Sequence, residues 1–311
     1  MSFIPHHISR HWNIVLFSLV VCIIILAMGC NSGLAAENMH KSHFLDSHYS
    51  VFCDRPDFFE ESIAAAQHHI KNSRRVPLKF SGLVQWGVVS HHLLIKNLIA
   101  EFFLRLSGEI HPKTIVLIGP NHFSEGHHRI AVSRLPWKTP FGMINPNQNI
   151  IKLLVDSGVA TVDEDAFTRE HSVSALVPFI KYFFPGVSIV PIVLWTDIDT
   201  LEATHLAKSL SAFAGQETFF LASLDFSHYK KNSVAEKEDV ITLDILYNFD
   251  TKNYRRAFVD SRSTMFVMLN SCKEIGSTAI EILHHTNSGI IENDSNAPCT
   301  SYINALMWNS R

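Results

Sequence analysis

Basic residues are neither abundant nor clustered in this chain. Lys and Arg number 26 against 29 Asp and Glu, and they occur at most in short pairs such as Arg74–Arg75. Binding to nucleic acid needs a basic footprint that neutralises phosphates, so no nucleic-acid partner is expected. Cysteine is scarce too. Of five, Cys22 and Cys30 fall in the N-terminal thirty residues, leaving Cys53, Cys272 and Cys299, which make no disulfide framework. A Cys53–Cys299 bridge is compatible with an oxidising compartment, and Cys272 reads as a buried helix residue. The longest apolar run, Ile14–Met28, is shorter than the roughly 20 residues of a spanning helix. The chain also lacks a phosphate-binding glycine loop, a Gly-x-Ser-x-Gly elbow, a CxxC pair, an internal repeat and a low-complexity tract.

Of the 311 residues, 47% are hydrophobic and 18% charged, a globular composition. Residues 1–30 form a separate object: Arg10, then the apolar run, which has the length of a signal-peptide core. Three readings are compatible with it. Ala27–Met28–Gly29–Cys30 resembles a lipobox with Ala in place of the usual Leu, Leu34–Ala35–Ala36 offers a cleavage site, and an uncleaved anchor is the third. Each places the protein outside the cytoplasm, as an exported, membrane-anchored or lipid-anchored protein of the cell envelope. Residues 31–55 read as a polar tether, and residues 56–311 as the folded domain.

Along that domain strands and helices alternate. Strands are expected at Leu83–Val89, Thr114–Ile118, Ile130–Ser133, Ser188–Trp195, Phe219–Leu224, Ala279–His284 and Tyr302–Trp308. Helices are expected from Asp57, then over Leu93–Leu106, Asn149–Ser157, Ser172–Phe184, Leu201–Ala214, Lys237–Asn248 and Ser263–Ile275. The Ser172 helix stops at Pro185–Gly186. Such alternation predicts an α/β fold, a central mixed sheet with helices on both faces.

The 19 histidines matter by position, not by number. Ligands bind beyond the carboxyl ends of strands in open α/β sheets. Three strands run into polar groups there: Ser90–His91–His92, Asn121–His122, and Asp225–Phe226–Ser227–His228–Tyr229. Glu170–His171–Ser172 opens the helix before the Ser188 strand. A histidine after a strand is more often a loop residue than a ligand, but four such groups in one chain suit a metal pocket. Imidazole and carboxylate are ordinary ligands of iron, zinc or copper. The His68–His69, His127–His128 and His284–His285 pairs read as surface or loop residues. Trp137–Lys138–Thr139–Pro140–Phe141–Gly142 reads as a turn against the pocket rim.

The order of GVVSHHLL, GPNHF, WKTPFG, EHSVSALVPFIKYFFPGVSIVPIVL and LASLDFSHY resembles the Memo family, whose prokaryotic members are called AmmeMemoRadiSam system protein B. The likeness runs from Val76 to Met307. It implies a fold similar to class III extradiol dioxygenases and a pocket made by two histidines and a third ligand. Position by position it assigns His91, with His92 beside it, and His122 as metal histidines. It also matches Asp225, His228, Glu170 and His171 to family positions, read here as catalytic proton carriers. The chain departs from the pattern twice. Ser90 stands where the family has Pro. Where the family has a Cys ligand, the register places Asp260, either as a third metal ligand or merely as a cap of the Ser263 helix. The family name also implies a pathway shared with a radical-SAM protein and an AMMECR-type protein.

Two functions follow from the sequence. One is a metal-dependent oxidoreductase or hydrolase acting on an unidentified small molecule, with a divalent metal, iron first and zinc or copper as alternatives. The other is a non-catalytic metal- or ligand-binding accessory protein of the envelope.

Overall fold

Period-two alternation decides the architecture. In the strand Thr114–Pro120, Ile115 and Leu117 point to one side of a sheet and Val116 and Ile118 to the other, all fully buried. Both faces must therefore be covered by helices. The computed structural model describes residues 46–72 and 80–310, and it has this layout. The expected leader and most of the expected tether lie outside the described residues. No helix among the described residues is long and apolar enough to cross a membrane.

The strands are β1 (His48–Tyr49), β2 (Val84–Val89), β3 (Thr114–Pro120), β4 (Ile130–Val132), β5 (Trp137–Thr139), β6 (Gly142–Ile144), β7 (Thr161–Val162), β8 (Ser188–Leu194), β9 (Thr218–Ser223), β10 (Phe226–Lys230), β11 (Ala279–Asn287) and β12 (Cys299–Trp308). The helices are α1 (Pro56–Asn72), α2 (Lys96–Ser107), α3 (Gln148–Asp156), α4 (His171–Ser174), α5 (Val177–Phe183), α6 (Thr200–Ser211), α7 (Asn232–Tyr247), α8 (Arg262–Glu274) and α9 (Ser288–Ile291). Nine strands form the main sheet, in the order β10-β12-β2-β9-β3-β8-β4-β7, with β11 also paired to β12. Its centre, β2-β9-β3-β8, is parallel, while β12 and β4 run antiparallel to their central neighbours. The sheet is thus mixed, as expected. Helices α1, α2 and α5 pack on one face around Phe59, Phe102, Phe103 and Phe179. Helices α3, α6 and α8 pack on the other around Leu154, Leu206, Leu210, Val267 and Leu269. Each such fully buried side chain stabilises the fold by roughly 1.5–3 kcal/mol.

Five expectations are corrected or refined. The Ser172–Phe184 helix is two helices, because Pro178 has no N–H for the Ser174 carbonyl. That carbonyl instead accepts from Val51 N at 3.2 Å, which pins the N-terminal segment to the domain. Residues 46–55, read as tether, accordingly lie on the folded body: β1 pairs with β5, and buried His48 reaches Glu164 at 2.7 Å. The Trp137–Gly142 stretch does turn, at Pro140–Phe141, but as the hairpin of a small sheet β1-β5-β6. Its Trp137 is buried against His48 and Phe167. His284 is buried, not on the surface, because a register shift between Ile282 and His284 turns it inward, where Asn304 Nδ2 donates to its Nδ1 at 3.3 Å. Finally, Cys299 is buried at the start of β12, and among the described residues no disulfide joins it to Cys53.

Candidate metal centre

Three adjacent parallel strands, β2, β9 and β3, end together, and their carboxyl ends carry the polar residues singled out above. Ser90 and His91 follow β2. Its N–H directed at Asn304 Oδ1 (3.0 Å) and its hydroxyl at the Leu224 carbonyl (3.0 Å) fix Ser90. His91 is buried; its backbone N–H donates to Asp225 Oδ1 at 3.2 Å and its Nδ1 lies 3.0 Å from Ser223 Oγ.

His122 follows β3, in a loop clamped by Asn121, which receives Glu125 N and donates to the Glu125 carbonyl. Both the backbone N–H and the Nδ1 of His122 are held by Glu170, at 2.6 and 2.8 Å. Glu170 precedes α4 and also accepts from Ser172 N at 2.8 Å. Position 119 has no room for a side chain: a Cβ there would lie 2.6 Å from Ser172 Oγ, so only glycine lets α4 press on the end of β3.

Asp260 arrives from the far side of the domain. Val259 bridges Phe226, the Asp225 N–H donates to Asp260 Oδ2 at 3.0 Å, and the Asp260 N–H returns to the Asp225 carbonyl at 3.0 Å. The cap of α8 is Ser261, whose hydroxyl oxygen accepts from Thr264 N, and not Asp260. The Asp260 carboxylate points instead at the histidines. Its Oδ2 is 3.6 Å from both His91 Nε2 and His122 Nε2, and its Oδ1 is buried with no hydrogen-bond partner. Asp225 Oδ2 is likewise 3.6 Å from His91 Nε2.

His171, the first residue of α4, stacks on His122 with ring centroids 4.2 Å apart and meets His91 edge-on at 5.1 Å. One nitrogen from each of His91, His122 and His171 lies within 4.8 Å of the others, a spacing a metal ion can bridge. His171 is therefore a candidate donor beside His91 and His122. His228 sits on β10, half-buried beside Tyr229, and burial lowers its pKa against the opposing charge of Asp260. Tyr229 itself has φ +57° and is exposed, a conformation few non-glycine residues adopt. Tyr302, far off in sequence on β12, is buried with its hydroxyl 3.2 Å from His92 Nδ1.

The charges are unevenly shared. Burial, then the neighbouring His171 and His122, hold His91 well below its ordinary pKa, so the ring is neutral. Burial also opposes charge on His122, but the nearby Asp260 carboxylate and the Glu170 carboxylate that accepts its Nδ1–H outweigh it and raise that imidazole to about 10. His171 is driven down to about 4 by burial and by the His122 charge. Burial would raise Glu170, yet its hydrogen bond to His122 keeps it below the usual carboxylate range. Asp225 is pushed up, first by burial and then by Asp260.

The donors fit a divalent metal. Two imidazole Nε2 atoms converge on one carboxylate whose second oxygen is buried and orphaned, an arrangement costly to keep unless something binds it. Each imidazole holds its other nitrogen in a hydrogen bond, as metal-binding histidines do.

Comparison with known proteins bears on this geometry. The family model described as Memo-like protein matches residues 89–305, which include every residue of the pocket. A MEMO1 family protein of Caldivirga maquilingensis is 32% identical over 61% of this chain and 71% of its own length. Another, from Pyrobaculum aerophilum, is 27% identical over 76% of this chain and 88% of its own. A third, from Methanosarcina barkeri, is 35% identical over 59% and 72%. With strand ends, pocket and matched segment coinciding over most of the described domain, the chain belongs to the Memo-like protein family.

Proposed function

We propose that the protein is a metal-dependent enzyme acting on a small molecule, and that His91, His122 and Asp260 hold the metal, with His171 as a further donor beside them. The observation that carries this is the approach of Asp260 Oδ2 to 3.6 Å from both Nε2 atoms, in a carboxylate that caps no helix. Two histidines and one carboxylate are a common non-haem iron(II) set, so iron is the first choice of metal and zinc the second. When bound, such a metal supplies Lewis acidity, or activation of oxygen or water. The chain's own residues do the rest. Glu170 orients His122 by holding its backbone N–H and its Nδ1. Asp225, protonated more readily than an ordinary aspartate, is placed to exchange a proton with a bound substrate, and neutral His171 to receive one. His228, half-buried on β10, is the second base at the mouth.

The test is metal analysis of the purified protein together with turnover on catechol-type and hydrolysable substrates. Stoichiometric metal that is lost in His91→Ala, His122→Ala and Asp260→Ala supports the reading. Full metal content in all three variants sinks it. Metal without turnover on any substrate class leaves the accessory-protein function.

The same proposal places the protein at the cell envelope, on the strength of the Ile14–Met28 run and Cys30. Membrane fractionation of wild type and Cys30→Ser tests it. Full-length protein in the soluble cytoplasmic fraction would exclude export, and unchanged processing of the variant would exclude the lipid anchor.

A further inference from the structure

Ser223 closes β9 beside the pocket and has no part in the function just described. Its hydroxyl carries a single proton, and that proton is committed: Oγ lies 2.6 Å from the Ser172 carbonyl, which can only accept. Toward His91 Nδ1, 3.0 Å away, the same oxygen can therefore only accept. Nδ1 must carry the imidazole hydrogen. The other nitrogen, Nε2, is 3.6 Å from the Asp225 and Asp260 oxygens, too far for an N–H donor. We propose that Ser223 is a positioning residue that fixes His91 as its Nδ1–H tautomer and so leaves Nε2 as an unprotonated donor facing Asp260. The proposal rests on the metal reading above for its purpose, though not for its geometry.

The relay is anchored where it needs to be. Ser172 donates its N–H to Glu170 and its hydroxyl to the Pro120 carbonyl at 2.9 Å, and glycine at 119 leaves it the space. Its carbonyl, the end of the relay, cannot drift. Glu170, two residues earlier, holds His122 by its Nδ1. One short turn, 170–172, thus sets both imidazoles. It holds His122 through a carboxylate, and His91 through a chain of neutral groups. Neutral partners leave the His91 ring uncharged with its lone pair outward, ready for a cation.

Ser223→Ala removes the acceptor and frees the ring to take the Nε2–H form, which occupies the donor atom. The experiment is nitrogen–proton long-range NMR on the metal-free full chain, paired with titration of zinc(II) or iron(II) alone. Wild type should show His91 as Nδ1–H, and Ser223→Ala should show a substantial Nε2–H population. Metal affinity should fall by about 10- to 100-fold, the usual loss when a ligand's orienting partner is removed. An Nε2–H signal in the wild type overturns the proposal, and this reading needs no variant to fold. Equal metal affinity in wild type and Ser223→Ala also overturns it, while the metal centre stands. If wild type takes up no metal, the metal centre falls, while an Nδ1–H signal from His91 that is lost in Ser223→Ala still upholds the tautomer set by Ser223.

Discussion

Asp260 brings two oxygens to the pocket, and only one is engaged by the backbone. A carboxylate is a harder ligand than the thiolate that its register would otherwise supply, so the site should favour iron(II), zinc(II) or manganese(II) over copper(I). Asp260→Cys should reverse this order, raising copper(I) affinity and lowering that for manganese(II). Competition with a chromophoric chelator measures both, and an unchanged order would remove Asp260 from the ligand set. His122 adds a pH dependence. Its imidazole is raised to about 10, so at neutral pH the metal-free ring is a cation and must lose a proton to become a ligand. Metal uptake near pH 7 should therefore release at least one proton, and affinity should rise by about tenfold per pH unit from pH 7 toward 9, flattening near 10. Calorimetry in two buffers of different ionisation heat reads the proton count, and a count of zero contradicts the assignment. At this scale the sequence was legible where a residue's position itself carries information. His91, His122 and Asp225 follow strands, and strand ends are where α/β sheets bind ligands. Ser223 and Tyr302 were not legible. A serine at a strand end is ordinary, and Tyr302 reaches His92 only because β12 folds back beside β2.

Between elements, Glu101 of α2 joins α1 and β11. It is almost fully buried on α2. Its oxygens meet His69 Nδ1 of α1 at 2.6 Å, Arg105 Nε at 2.9 Å and His284 Nε2 of β11 at 3.4 Å. Burial alone would raise its pKa, but the bonds to His284, His69 and Arg105 hold it far below the ordinary carboxylate value. A lowered folded pKa gives stability that is complete above the unfolded value, about 4.5, and is lost as pH falls below it. Glu101→Gln should cost about 3–5 kcal/mol at pH 7, because it leaves Arg105 and its neighbours without their buried anion. The penalty should shrink on acidification below pH 4. Urea unfolding at pH 7 and pH 3.5 checks this, and an equal penalty at both would show that charge is not what Glu101 contributes. This cluster also shows how element-level reading fails. The alternation of strands and helices is plain from hydrophobic spacing, but a β-bulge leaves no such trace, so the sequence reads His284 as a surface or loop residue. Pro178 did leave a trace: a proline two residues into a helix marks a start, and the Ser172–Phe184 segment divides there.

Across the whole molecule, the pocket joins residues that separate elements supply. His91 and His122 lie at the ends of β2 and β3, His171 opens α4, and Asp260 leads into α8 on the opposite face from α2 and α5. The loop carrying Asp260 reaches the strand ends through the paired backbones of Asp225 and Asp260 and the Val259–Phe226 bridge. A ligand that binds only the assembled site stabilises the folded state by mass action, about 2.7 kcal/mol at one hundred times its dissociation constant. For a domain of this size each kcal/mol moves the melting temperature by roughly 2–4 °C, so saturating zinc(II) or iron(II) should raise it by roughly 5–10 °C. The rise should vanish in Asp260→Ala and be reversed by a chelator. It should also appear locally. Amides of residues 89–91, 121–122 and 259–261 should exchange more slowly with metal present, and those of the small β1-β5-β6 sheet should not change beyond the global effect. Protection confined to the strand ends at 91 and 122, with none at 259–261, would mean that the histidines bind metal without Asp260. The donor set would then be His91, His122 and His171, whose nitrogens already lie within 4.8 Å of one another.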